Sequence, residues 1–93
     1  MAEVWIEEWT DRNGVRRKAE VEIWSMPARQ YNPAGAEWTP FMARPREYWI
    51  MVTYYADGKS EDGRHHCGTF KTWKEAEESI PEVFPRAYKN WKP

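Results

Sequence analysis

Asn13-Gly14, set between two stretches that alternate apolar and charged residues, constrains this chain more than any other feature. An Asn-Gly pair in that setting is the strongest short signal for a two-residue type I′ hairpin turn, because both residues tolerate positive φ. Such a turn sets the register of residues 3–24. With Arg12 opposite Val15, Val4 faces Ile23, Ile6 faces Val21 and Glu8 faces Ala19 on one side of the ribbon. The other side carries Trp5 against Glu22, Trp9 against Lys18, Asp11 against Arg16 and Glu3 against Trp24, with Glu7 and Glu20 as a like-charge pair. A slip of one residue would exchange the two sets and bury several charges. The aliphatic side is therefore read as core, and the side with Trp5, Trp9 and Trp24 as outer surface.

Residues 25–46 contain Pro27, Pro33, Pro40 and Pro45, each removing a backbone donor and biasing the preceding residue toward extended geometry. No helix or central strand is expected there. Connections of this length in a compact domain are usually functional, and Tyr31, Trp38, Phe41 and Met42 argue for a packed lid rather than a disordered linker. Residues 47–56 alternate Tyr48, Ile50, Val52 and Tyr54 with Trp49, Met51, Thr53 and Tyr55. Both sets are mostly apolar, which predicts a central strand. A loop over 57–63 returns the chain into a second strand over 64–70, completing a hairpin across 47–70. Thr72-Trp73-Lys74-Glu75 is a capping box that opens a helix over 72–80. Trp73, Ala76 and Ile80 share one face, and Pro81 is expected to stop or kink the helix. The tail, 81–93, holds at most a short turn. The architecture expected is α+β: one domain over 1–93, with a four-stranded antiparallel sheet made of two β-hairpins, a long Pro-rich connection and one C-terminal helix on the face of Val4, Ile6, Val21 and Ile23.

The segment 48–80, ending in Gly68-Thr69-Phe70-Lys71-Thr72-Trp73-Lys74-Glu75-Ala76-Glu77, resembles the DNA-binding fold of plant AP2 domains and of phage integrase arm-binding domains. Those end a three-stranded sheet with a similar glycine, aromatic, threonine and Glu-Ala pattern entering the helix. The resemblance covers about a third of the chain. It implies that Phe70 closes the core, Thr72 caps the helix and Ala76 lets the helix approach the sheet. That family reads DNA through arginines and tryptophans on its strands, and this sequence supplies Trp49 but only Arg64 as a basic residue in the second hairpin.

Charge and cysteine content narrow the function. Fourteen Lys and Arg against fifteen Asp and Glu give a net charge of −1, so no global field draws the chain to nucleic acid or to an acidic membrane. The apolar run from Tyr48 to Ala56 is about half a membrane span, and neither a targeting segment nor a membrane partner is expected. Cys67 stands alone and forms no intrachain disulfide, which suits a reducing cytoplasm. In His65-His66-Cys67, neighbouring strand residues point to opposite faces, so at most His65 and Cys67 converge, too few for a metal site. Cys67 and His65 lack the orienting third group of a nucleophile and base pair. No phosphate loop, nucleophile elbow, calcium loop or carboxylate pair occurs. The chain is read as no enzyme, with no cofactor, no metal and no small-molecule substrate.

Seven tryptophans, five tyrosines and three phenylalanines in 93 residues are more aromatic surface than one small core readily hides. Tryptophan and tyrosine left at a surface anchor interfaces. Trp5, Trp9 and Trp24, bordered by Lys18 and Glu22, therefore form the expected protein interface, provided the lid over 31–42 leaves them open. The function expected is that of a small non-enzymatic interaction protein, of the kind phage and mobile elements encode, binding a host macromolecule or a second copy of itself. The alternative is a DNA-binding accessory protein using Arg12, Arg16, Arg17 and Lys18 at the first hairpin tip together with Arg64 and the integrase-like sheet-helix unit.

Overall fold

In the computed structural model, which describes residues 2–30 and 43–92, the first turn is longer than the Asn-Gly pair predicts. Strand β1 (Ala2–Thr10) and strand β2 (Arg16–Met26) are joined through Asp11, whose amide donates to the Val15 carbonyl at 3.0 Å, while the Gly14 amide donates to the Asp11 carbonyl at 3.0 Å. Gly14 alone in this turn takes positive φ, at 79°. This is a three-residue loop, a type I turn closed by a left-handed glycine. The Asp11 carboxylate selects it: Oδ1 accepts from the amides of Asn13 at 2.9 Å and Val15 at 3.0 Å. Asp at the first position and Gly at the fourth are the signature of that turn type.

The extra residue shifts the register by one. Val4 pairs with Glu22, Trp5 with Val21, Glu7 with Ala19 and Trp9 with Arg17. Every side chain of β1 thereby changes sides relative to β2. The expected pairings of Val4 with Ile23 and Ile6 with Val21 are replaced, and Glu7 no longer opposes Glu20.

The sheet has five strands in the order β6-β5-β2-β1-β7, all antiparallel, rather than four. Strand β5 (Glu47–Ala56) is interior, flanked by β6 and β2, as its two apolar faces demand, although β2 holds the central place, and β6 (Lys59–Phe70) begins earlier than expected. The two-residue type I′ turn occurs here, at Asp57 (φ 49°) and Gly58 (φ 81°), with Ala56 facing Lys59. Residues 59–63, expected as loop, join the strand, and Asp62-Gly63 forms a bulge with φ of 54° and 71°. A second irregularity leaves Cys67 outside the pairing, between Ile50 facing Gly68 and Met51 facing His66.

Helix α1 (Trp73–Val83) starts where the capping motif places it, the Thr72 hydroxyl accepting the Glu75 amide at 3.1 Å. It runs through Pro81 to Val83, and the Phe84 amide still reaches the Ile80 carbonyl at 2.8 Å. A turn with the Ala87 amide on the Phe84 carbonyl then sends the tail back along β1 as strand β7 (Tyr88–Lys92). Lys89 fastens it, its ammonium 3.7 Å from Glu3, 3.5 Å from Glu77 and 5.4 Å from the centre of the Trp5 ring. This edge strand replaces the short turn expected of the tail. Within the Pro-rich connection, β3 (Arg29–Gln30) and β4 (Ala43–Arg44) pair antiparallel at its base. The lid expected over 31–42 lies outside the described residues.

The helix packs on Trp5, Ala19, Val21, Ile23, Ile50 and Val52 through Ala76 and Ile80, with Tyr48, Phe70, Phe84 and Ala87 at the margin. Val21 and Ile23 are therefore on the helix side, as expected. Val4 and Ile6 are not: they lie on the opposite face, where they too are buried, beside Glu20, Met51 and Thr53.

Candidate interaction surface

An eleven-residue helix spans about 16 Å, whereas the ten residues of β5 span about 33 Å, so α1 can cover only part of the sheet. It covers the half near Tyr48 and Phe70. The other half of the same face runs out to the hairpin tips and carries Glu7, Trp9, Arg17, Tyr54 and His65. Trp9 is 41 % exposed and Tyr54 36 %. Between them lies a shallow hollow of about 370 Å³, walled by Trp9, Arg17, Tyr54, Tyr55, Glu61, Asp62 and His65.

The platform is held in place by charge. The Arg17 guanidinium donates from Nε to Asp11 Oδ2 at 3.0 Å and from Nη1 to Glu61 Oε1, bridging the two hairpins. The two tips are also joined through backbone, the Asp57 amide on the Arg16 carbonyl at 2.8 Å and the Arg16 amide on Asp57 Oδ1 at 3.2 Å. The Val15 amide bond, with further help from Arg17 and Asn13, holds the Asp11 carboxyl below its usual range, and the bond to Asp11 raises Arg17 in turn. Partial burial, with Cys67 nearby, pushes the Tyr54 phenol up.

The register shift divides the expected interface. Trp9 remains open. Trp5 is 7 % exposed beneath the edge of the helix and belongs to the core, a correction that follows from the added turn residue. Trp24, Lys18 and Glu22 lie on the far face, away from Trp9. There the Trp24 indole donates to Glu22 at 2.9 Å beneath the Arg64 guanidinium, 5.3 Å away, and Lys18 sits 4.4 Å over the Tyr55 ring and 4.0 Å from Glu20. Tyr54 and His65 join the surface unannounced by the alternation of β5, which groups Tyr54 with buried residues. Helix length against strand length was the signal that could have exposed them.

The expected nucleic-acid set is likewise dispersed. Arg12 and Arg16 stand exposed at the tip, Arg17 is neutralised on the helix side, and Lys18 and Arg64 occupy the far face. Glu8, Glu20 and Glu22 share that far face, so it holds no cationic excess among the described residues.

The His-His-Cys segment is separated too. His65 lies 6.0 Å from Tyr54 on the helix side, whereas His66 stacks on Trp49 at 4.4 Å on the other and bonds Thr69 Oγ1 at 2.9 Å. Cys67 falls at a bulge outside the strand pairing, its thiol 3.7 Å from the His65 carbonyl. Among the described residues no three His, Cys, Asp or Glu side chains converge as a metal site, and no helix is long and apolar enough to cross a membrane. No family model, curated protein or solved structure matches this chain.

Proposed function

We propose that the chain is a small non-enzymatic interaction protein that holds a protein partner on the uncovered half of its sheet, with Trp9 and Tyr54 as anchors and Arg17, Glu61 and Asp62 as the polar border. One observation carries this reading: two large aromatics stand open on a rigid strand platform that the protein's own helix is too short to cover. Interfaces are built this way, with rigid aromatics at the centre and charges at the rim. The exposed, unpaired Cys67 supports a reducing cytoplasmic setting.

The test is retention of a partner by immobilised protein, compared among wild type, Trp9→Ala, Tyr54→Ala and Trp24→Ala, with folding confirmed by circular dichroism. Loss with the first two and retention with the third is the expected pattern. Equal retention by all four refutes the platform. The alternative, an accessory DNA-binding role, keeps Arg12 and Arg16 as its open cations; a duplex mobility shift at low salt that disappears in the Arg12→Ala, Arg16→Ala double variant would replace the protein-partner reading.

A further inference from the structure

The two edges of the sheet are built differently. At one, β6 is interrupted by irregularities at Asp62-Gly63 and Cys67, and such bulges are a feature by which edge strands resist pairing. At the other, β7 pairs with β1 through all five of its residues without a register break, and among the described residues no strand lies on its outer side. It also carries two of the most exposed large aromatics, Tyr88 at 50 % and Trp91 at 54 %. Their alternation places them on opposite faces of the sheet.

We infer that the chain forms a two-fold dimer by pairing β7 antiparallel with β7 of a second copy, centred on Asn90. The sequence Tyr88-Lys89-Asn90-Trp91-Lys92 is complementary to its own reverse in that register: Asn90 meets Asn90, Lys89 meets Trp91 and Tyr88 meets Lys92. Each Trp91 ring then lies along the Lys89 stem of the other copy, while the Lys89 ammonium keeps its carboxylates Glu3 and Glu77. The pairing is isologous and closes, whereas β7 on β6 would propagate as an open fibre and is opposed by the β6 bulges. In the single chain the Trp91 amide donates to Asn90 Oδ1 at 2.9 Å; in the dimer the Lys89 carbonyl of the second copy takes that amide, and the two Asn90 side chains meet at the axis. A five-residue ladder falls short of the roughly 1,200 Å² of a standard interface, so the dimer is concentration dependent. This dimer is independent of the partner platform around Trp9.

Light scattering across a concentration series should rise from 11.2 kDa toward twice that mass. In a Cys67→Ser background, Asn90→Cys should cross-link under mild oxidation, because facing residues hold their Cβ atoms about 4.5–5.5 Å apart. Tyr88→Cys should not, since the two copies of position 88 would be separated by about 13 Å of strand. Three results would each overturn the inference: a mass of 11.2 kDa at every soluble concentration, equal cross-linking at positions 88 and 90, or a dimer that survives Trp91→Asp and is lost in Trp9→Asp.

Discussion

Trp5 and Trp9 lie on one strand, four residues apart and on the same face, yet their truncation should have very different consequences. Trp5 is 7 % exposed, sits in the cluster formed with Val21, Ala76 and Ile80, and lies under the Lys89 ammonium. A buried tryptophan removes about 150–250 Å² from water, worth about 4–6 kcal/mol at 25 cal/mol per Å². The residual structure of the unfolded chain reduces this by a tenth to two-fifths. Trp5→Ala should therefore cost about 3–5 kcal/mol, the range for large-to-small changes in packed cores. Trp9 has no helix above it, and Trp9→Ala should cost about 1 kcal/mol or less. Urea titrations followed by circular dichroism at 222 nm measure both values. For a domain of this size the difference corresponds to a melting-temperature gap of more than about 10 °C. Equal losses, or a Trp5→Ala cost below about 1 kcal/mol, would refute the register in which Trp5 faces the helix. Val4 would not discriminate, because it is buried on whichever side it points.

Further perturbations probe the local chemistry. Asp11 titrates below its ordinary value of 3.8 in the fold, so its contribution is present above that pH and is lost as the pH falls through the lower, folded value. Acid unfolding of Asp11→Asn, which keeps the acceptor but not the charge, should accordingly show a shallower loss of stability below pH 3.8 than wild type; identical slopes would remove Asp11 from the turn mechanism. Thr72→Ala should cost about 1 kcal/mol in urea, with Thr72→Ser restoring most of it, since the hydroxyl alone caps the Glu75 amide. Gly58→Ala should destabilise by about 1 kcal/mol through its φ of 81°, although a Cβ there meets no neighbour within 4 Å; an unchanged midpoint would contradict the left-handed backbone.

Local chemistry was legible in the residues themselves. The threonine cap of α1, the apolar pattern that places β5 inside the sheet, the helix-side placement of Val21 and Ile23, and the α+β class all follow from short-range rules that tertiary contacts did not override. What the strands alone could not decide was parity. Strand β1 presents Val4 and Ile6 on one side and Trp5 and Trp9 on the other, so either orientation buries apolar surface, and the Asn-Gly signal competes with the Asp11 carboxylate for the turn. One added turn residue moved Trp5 under the helix and separated Trp24 from Trp9. The tail posed the same difficulty, because a five-residue strand gains stability only from a neighbour, here the edge of β1 and the carboxylates that hold Lys89. Sequence determined where the two hairpins and the helix lie; the folded molecule decided which face each one shows and that the tail pairs, because a strand's sidedness and an edge strand's stability rest on contacts made at a distance along the chain.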